Sequence, residues 1–427
     1  MKISPARRIA GRLSLPGDKS ISHRAALIAA LSNGPSEISN FSTARDCLAT
    51  VTCLQQLGIS IKNNQNKLFF SGGQKLASPG EPLDCGNSGS TLRMLAGVLA
   101  GFDLKAELAG DESLSARPMR RIIEPLELMG ATIESNDGKA PLKLQGSNEL
   151  KPITYKLPIA SAQVKSAVLF AGLNAKGITT VIETLPARDH TERMFNGFGV
   201  PVATNEDLSV TLAGPARFAG GPMTIPGDIS SAAFLIVAAM LLPESSLTID
   251  GVGLNPTRAA FLSVLRSWGA DISTTDLRSE RNEPYGTIRV RGGISGAASK
   301  RTLSGAMIPE LIDELPLLAV AGSQIPGGMV IRDAAELRLK ESDRLAATAM
   351  NLRAMGAEVE EFEDGMEVFG PTRLRGAAID SFGDHRIAMA FSVAALIATG
   401  DSEISGSECV EISFPEFFGL LESLRVE

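Results

Sequence analysis

Six times along the chain a short polar turn gives way to an apolar run long enough for a buried helix. The six stretches read "PGDKSISHRAALIAAL", "CGNSGSTLRMLAGVLAG", "IASAQVKSAVLFAGL", "PGDISSAAFLIVAAM", "LIDELPLLAVAG" and "GDHRIAMAFSVAALIATG". Aligned on one polar residue of the turn, they mark Asp18, Asn87, Ser161, Asp228, Asp313 and Asp384, spaced by roughly 70 residues. The interval before Asp313 is longer, and its excess falls at "TTDLRSERNEPYG", which reads as a polar inserted loop. A second landmark keeps the same time. Gly58, Gly130, Gly199, Gly269 and Gly356 each follow a helical pattern and precede an alternating one, the usual place for a left-handed helix stop.

Each unit therefore predicts an apolar helix, a strand, a charged amphipathic helix and further strands. A helix apolar all round belongs in a core, and an amphipathic one belongs outside. Three such units fit a domain of about 200 residues. The pattern thus predicts an α/β protein of two similar domains, with buried helices enclosed by sheets. The two Pro-Gly-Asp turns, at 16–18 and 226–228, each open a set of three and mark crossings between domains.

Bulk properties narrow the classes. The chain has 427 residues, 44% hydrophobic and 21% charged, with a net charge of −7 and a pI near 5.3. That balance argues against a nucleic-acid surface, and the apolar runs are too interrupted to span a membrane. The opening "MKISPARRIAGRLSLPGD" lacks the apolar core of a signal peptide, so a cytoplasmic chain is expected. Cys47, Cys53, Cys85 and Cys409 show no metal spacing and read as reduced thiols. His23, His190 and His385 are too dispersed for a zinc site.

The repeats differ in charge, and the charged ones suggest chemistry. Lys19, Ser20 and Arg24 follow the first Pro-Gly-Asp, while its twin is followed by uncharged residues. "GNSGSTLR" (86–93), "SARPMRR" (115–121), "LRLKESDR" (337–344) and "GDHR" (383–386) are the other charged openings. Helix N-termini with small residues and nearby cations suit an anion. Neither a Walker loop nor a Rossmann glycine fingerprint occurs, so the anion is not a nucleotide held in those ways.

"LPGDKSISHR", "GNSGSTLR", "ARPM", "SAQVKSA", "RDHTE", "IDELP", "LRLKESDRL" and "GDHRIAM" together resemble the 5-enolpyruvylshikimate-3-phosphate synthases, in order from Leu15 to about Phe418. "SAQVKSA", "RDHTE" and "SFPEF" are similar to that family's second class. The resemblance implies the enolpyruvyl transferase fold: two domains of three βαβαββ-type repeats, here 17–226 and 227–427, the latter joined by the N-terminal strand in 1–16. It implies transfer of the enolpyruvyl group of phosphoenolpyruvate to the 5-hydroxyl of shikimate 3-phosphate, with release of phosphate, by a monomer needing no metal or organic cofactor. It also implies closure of the domains on substrate.

By resemblance Lys19, Ser20, Arg24, Ser161, Arg188, Asp313 and Lys340 line the shikimate 3-phosphate site, with Gln163 against the ring. Lys19, Gly89, Arg117, Gln163, Arg344 and Arg386 hold phosphoenolpyruvate. Glu341 is expected to protonate the methylene, Asp313 to take the hydroxyl proton, and Lys19 to share either role, with His385 orienting Glu341 or the phosphate neighbourhood. Many members carry a lysine where this chain has Ile412. Glyphosate occupies the phosphoenolpyruvate site in this family, and tolerant second-class members often have alanine at the place of Gly89. The alternative, UDP-N-acetylglucosamine enolpyruvyl transferase, usually carries a cysteine in the loop matching "AGDESLSARP", and none occurs here.

Overall fold

In the computed structural model, which describes residues 1–64, 66–294 and 301–426, the six apolar runs are helices: Lys19–Leu31, Gly89–Ala100, Ala162–Gly172, Ile229–Leu241, Leu315–Gly322 and His385–Ile397. Every residue from Ile229 to Met240 is buried, Ser230 and Ser231 included, as the apolar run from Ala232 onward requires of its helix. Four of the landmark polar residues cap their helices. Asp18 accepts from the Ile21 N–H, Ser161 from Val164, Asp228 from Ser230 and Ser231, and Asp384 from Arg386. In the second repeat the cap is Ser88, one residue past Asn87. In the fifth, Asp313 lies in the turn 312–314, Glu314 is at the cap position, and the helix starts at Leu315 with Pro316 in its first turn. The five stop glycines all have positive φ, from 82° at Gly199 to 112° at Gly130.

In the second, third and fifth repeats the buried helix links two parallel strands and an outer helix leads into antiparallel strands. Thus Leu83–Asp84 and Lys105–Ala109 flank the Gly89–Ala100 helix and pair in parallel. The helix Arg120–Met129 then precedes Thr132–Asn136 and Lys139–Gln145, which complete the sheet antiparallel. There are six small sheets among the described residues, in keeping with the βαβαββ-type repeats that the resemblance implies. Gly97 lets two buried helices meet in the amino half: a Cβ there would lie 2.2 Å from the Ala167 carbonyl oxygen.

The repeats exchange one strand. Arg8–Ser14 runs into the first buried helix, yet it pairs in parallel with Ser246–Gly253 of the fourth repeat and antiparallel with Arg425–Val426. Its place in the first repeat is taken by Pro222–Thr224, parallel to Ser36–Ser39. The chain accordingly divides into an amino unit, Pro16–Pro226 with Ser279–Pro284, and a carboxy unit, Met1–Leu15, Gly227–Arg278 and Tyr285–Glu427. Each unit has its own apolar core.

The stretch read as an inserted loop is instead a long hairpin of Ala270–Glu280 and Glu283–Ile294. Its tight turn uses positive φ at Arg281 and Asn282, the geometry that suits twisted strands. Much of the first strand is exposed, which is why its sequence is polar. The tip belongs to the amino unit, where Glu283 is buried 2.7 Å from His190 Nδ1 and Arg281 lies over the Phe198 ring at 4.4 Å.

Candidate active site

In the amino unit most candidate residues sit at or near the starts of the three buried helices, with Arg117 and Arg188 on other segments. Lys19 is the first residue of its helix, and its ammonium lies 2.9 Å from Asp46 Oδ2. Arg24, one turn on, is 3% exposed and fastened from three sides. It donates to Thr191 Oγ1 at 2.7 Å, Ser166 Oγ at 2.8 Å and the Ser20 carbonyl at 2.9 Å. Burial pulls its pKa down to about 10, which still leaves it charged at neutral pH. Beside it His23 is buried, and its imidazole meets Thr50 Oγ1 at 2.7 Å. Burial, then the charges of Lys19 and Arg24, hold its pKa well below 6.5, so it stays neutral among cations.

The second helix brings Gly89 between two guanidinium groups. A Cβ on Gly89 would lie 3.0 Å from Arg93 Nη1 and 3.6 Å from Arg117 Nη1. Arg117 donates to Asn87 Oδ1 at 2.7 Å and Ser113 Oγ at 3.1 Å. Gln163, from the third helix, accepts from Arg93 and donates to Ser90 Oγ at 2.9 Å. The structure thus groups Gly89, Arg117 and Gln163, and adds Arg93. That arginine stood in a charged motif, but its spacing gave no sign that it would meet Gln163. Ser161 caps the third helix, and Arg188 lies partly exposed in the loop before the His190–Gly197 helix.

In the carboxy unit Asp313, Glu341, Arg344 and Arg386 come together. Arg344 is buried and donates to Asp384 Oδ2 at 2.7 Å and Glu341 Oε2 at 2.6 Å, with Asp313 Oδ1 at 3.5 Å. Burial works against its charge, but Asp384 and then Glu341 overcome that, and its pKa is raised. Arg386 donates to Ser230 Oγ at 2.7 Å and the Asp313 carbonyl at 3.0 Å, and its Nη2 lies 3.5 Å from Asp313 Oδ2. A third arginine, Arg258, reaches the same Oδ2 at 3.5 Å. Nothing in "NPTRAA" distinguished it as a site residue. Lys340 precedes Glu341, and burial lowers its pKa although Asp313 draws it back.

His385 Nε2 is 3.0 Å from Ser413 Oγ, and Glu341 Oε2 accepts from Arg344 at 2.6 Å. Ile412, next to Ser413, packs on the carboxy core. All four cysteines are free and buried.

Chemically, each half offers cations to an anion, and the carboxy half also holds Asp313, Glu314, Glu341 and Asp384 against Arg344 and Arg386. An incoming carboxylate or phosphate competes with those acids for the same guanidinium forks.

Known proteins match this chain throughout. The family described as "EPSP synthase (3-phosphoshikimate 1-carboxyvinyltransferase)" matches residues 3–421. A 3-phosphoshikimate 1-carboxyvinyltransferase of Koribacter versatilis is 49% identical over 99% of both chains. That of Desulforamulus reducens is 47% identical over 100% of this chain and 99% of its own. A solved EPSP synthase of Acinetobacter baumannii superposes with a TM-score of 0.89 at 38% identity, covering 100% of this chain and 98% of the other.

Proposed function

The chain belongs to the EPSP synthase family and transfers the enolpyruvyl group of phosphoenolpyruvate to shikimate 3-phosphate, and from that premise we propose how its own residues divide the work. This is a step of aromatic amino-acid biosynthesis. Shikimate 3-phosphate is held by Lys19, Ser20, Arg24, Ser161, Arg188, Asp313 and Lys340, with Gln163 against its ring. Phosphoenolpyruvate is held by Lys19, Gly89, Arg117, Gln163, Arg344 and Arg386.

The observation that carries this reading is the carboxy-unit cluster, in which Arg344 holds Glu341 at 2.6 Å and both Arg344 and Arg386 approach Asp313 at 3.5 Å. When phosphoenolpyruvate takes the guanidinium groups, Glu341 and Asp313 lose their partners and become available for proton transfer. Released from Arg344, the Glu341 carboxylate takes up a proton from solvent and gives it to the methylene carbon, making the neighbouring carbon electrophilic. Asp313 takes the proton of the 5-hydroxyl as that oxygen attacks. Loss of phosphate and of one methyl proton from the adduct restores the carbon–carbon double bond. Lys19, at a helix start and beside both anions, offsets the charge that develops.

The test is solvent-hydrogen exchange into the methylene of phosphoenolpyruvate, beside phosphate release. Glu341→Gln should bind both substrates and exchange slowly, and Lys19→Met should fold and lose most turnover. Unaltered exchange in Glu341→Gln would move the donor role elsewhere. Phosphate release is expected with shikimate 3-phosphate and not with UDP-N-acetylglucosamine. We further propose a cytoplasmic monomer, since one chain carries every residue assigned above; sedimentation equilibrium at a single chain mass checks it.

A further inference from the structure

The reaction as described gives no role to the buried cation Lys165. Lys165 lies inside the apolar helix Ala162–Gly172 and is fully buried. Its ammonium meets Glu192 Oε1 at 2.6 Å, Glu183 Oε2 at 2.9 Å and the Ala187 carbonyl oxygen at 3.4 Å. Three acceptors match its three donors. Burial opposes the charge, but Glu192 and then Glu183 outweigh burial and raise its pKa.

The two acids have telling places. Glu183 directly follows the strand Gly177–Ile182, and Glu192 lies in the first turn of the helix His190–Gly197. Between them runs the irregular segment 184–189, which presents Arg188. Lys165 therefore grips both ends of that loop. The middle is gripped too, because Glu183 Oε1 accepts the Ala187 N–H at 3.0 Å. Both peptide groups of the residue before Arg188 are thus tied to one ion cluster. The neighbours of Lys165 and Glu192, Ser166 and Thr191, accept from Arg24 at 2.8 and 2.7 Å. A buried ion cluster gains little stability over apolar packing of the same volume, so stability alone does not account for it.

We propose that Lys165 is a positioning residue, a clasp on the 184–189 loop that sets Arg188 and Arg24 for the phosphate of shikimate 3-phosphate and so favours the phosphorylated substrate over shikimate. This rests on the reading of Arg24 and Arg188 as ligands of that phosphate.

Steady-state kinetics on the full chain test it. Lys165→Met should raise KM for shikimate 3-phosphate about ten- to a hundredfold, the effect of a misplaced binding group. KM for phosphoenolpyruvate and kcat at saturating shikimate 3-phosphate should stay within about twofold. The kcat/KM ratio of shikimate 3-phosphate over shikimate should fall, and Lys165→Arg should restore part of it. A triple variant, Lys165→Met with Glu183→Leu and Glu192→Leu, leaves no lone buried charge and so folds even where the single change does not. It should show the same split. Arg188→Ala, run alongside, should raise KM for shikimate 3-phosphate by itself. If Arg188→Ala does so while the folded triple variant keeps the wild-type KM, the clasp is wrong and the ligand reading stands. If both substrates' KM values rise alike, the cluster is merely structural. If Arg188→Ala changes nothing, the ligand reading fails and the clasp falls with it.

Discussion

Lys340 makes no hydrogen bond or ion pair among the described residues, and burial lowers its pKa below 10.5. A phosphate ligand must be protonated to serve. As pH rises through that lowered pKa the charge is lost, so kcat/KM for shikimate 3-phosphate should fall on an alkaline limb lying below 10.5. Lys340→Arg should remove the limb, because a guanidinium does not titrate there; a limb that persists belongs to another group. Gly89 carries a second residue-scale prediction. A methyl group 3.0 Å from Arg93 Nη1 would push back a flexible side-chain end, so Gly89→Ala should fold normally. Displacing Arg93 loosens its bond to Gln163 and narrows the pocket, at a cost of about 1–3 kcal/mol to a tightly fitting ligand. Glyphosate, longer than phosphoenolpyruvate, should suffer more: its inhibition constant should rise by a larger factor than KM for phosphoenolpyruvate. Equal factors would show that Gly89 does not set discrimination. At this scale the sequence was legible where a charge interrupted an apolar run at its start, as at Lys19 and Arg386. It was silent on Lys165, because spacing along one helix says nothing of Glu183 and Glu192 on two other elements.

The twin Pro-Gly-Asp turns allow cap and chemistry to be separated for shikimate 3-phosphate. Asp228 caps a helix that starts Ile229-Ser230-Ser231, and Asp18 caps one that starts with Lys19 and Ser20 and carries Arg24. Asp228→Ala should cost about 1 kcal/mol in denaturant unfolding and leave KM for shikimate 3-phosphate alone. Asp18→Ala should cost as much and also raise KM for shikimate 3-phosphate, since Asp18 supports the charge of Arg24. Matching KM values in the two variants would make both turns purely structural. Caps and stop glycines were readable because each is a local rule with a fixed position. Asp313 holds the same polar place in its repeat, but there the helix starts two residues later, with Pro316 in its first turn. The hairpin 270–294 was taken for a loop because exposed strands need no apolar face; the paired positive φ values at Arg281 and Asn282, which define its turn, occur at residues that do not advertise them.

At the scale of the molecule, ligands for one substrate are assigned to both units, Lys19 and Arg188 in one and Asp313 and Lys340 in the other. A ligand that binds only the folded state stabilises whatever contributes to its site, by about 2.7 kcal/mol at a hundred times Kd. Shikimate 3-phosphate should therefore raise the calorimetric unfolding temperature of both units, and a shift confined to one would place its ligands in that unit alone. The six-fold rhythm made the two-unit plan visible, since each repeat announces itself locally. The strand exchange was not visible in the pattern, because Arg8–Ser14 and Pro222–Thr224 obey the same local rules wherever they pair. That exchange sets a schedule for the nascent chain. Arg8–Ser14 leaves the ribosome early, but its parallel partner Ser246–Gly253 follows on the order of ten to fifty seconds later at ordinary elongation rates. Throughout that wait it is an unpaired edge in a crowded cell. Arg8, Gly11 and Arg12 along it, a glycine between charges, are the residues that discourage a strand from finding the wrong neighbour first.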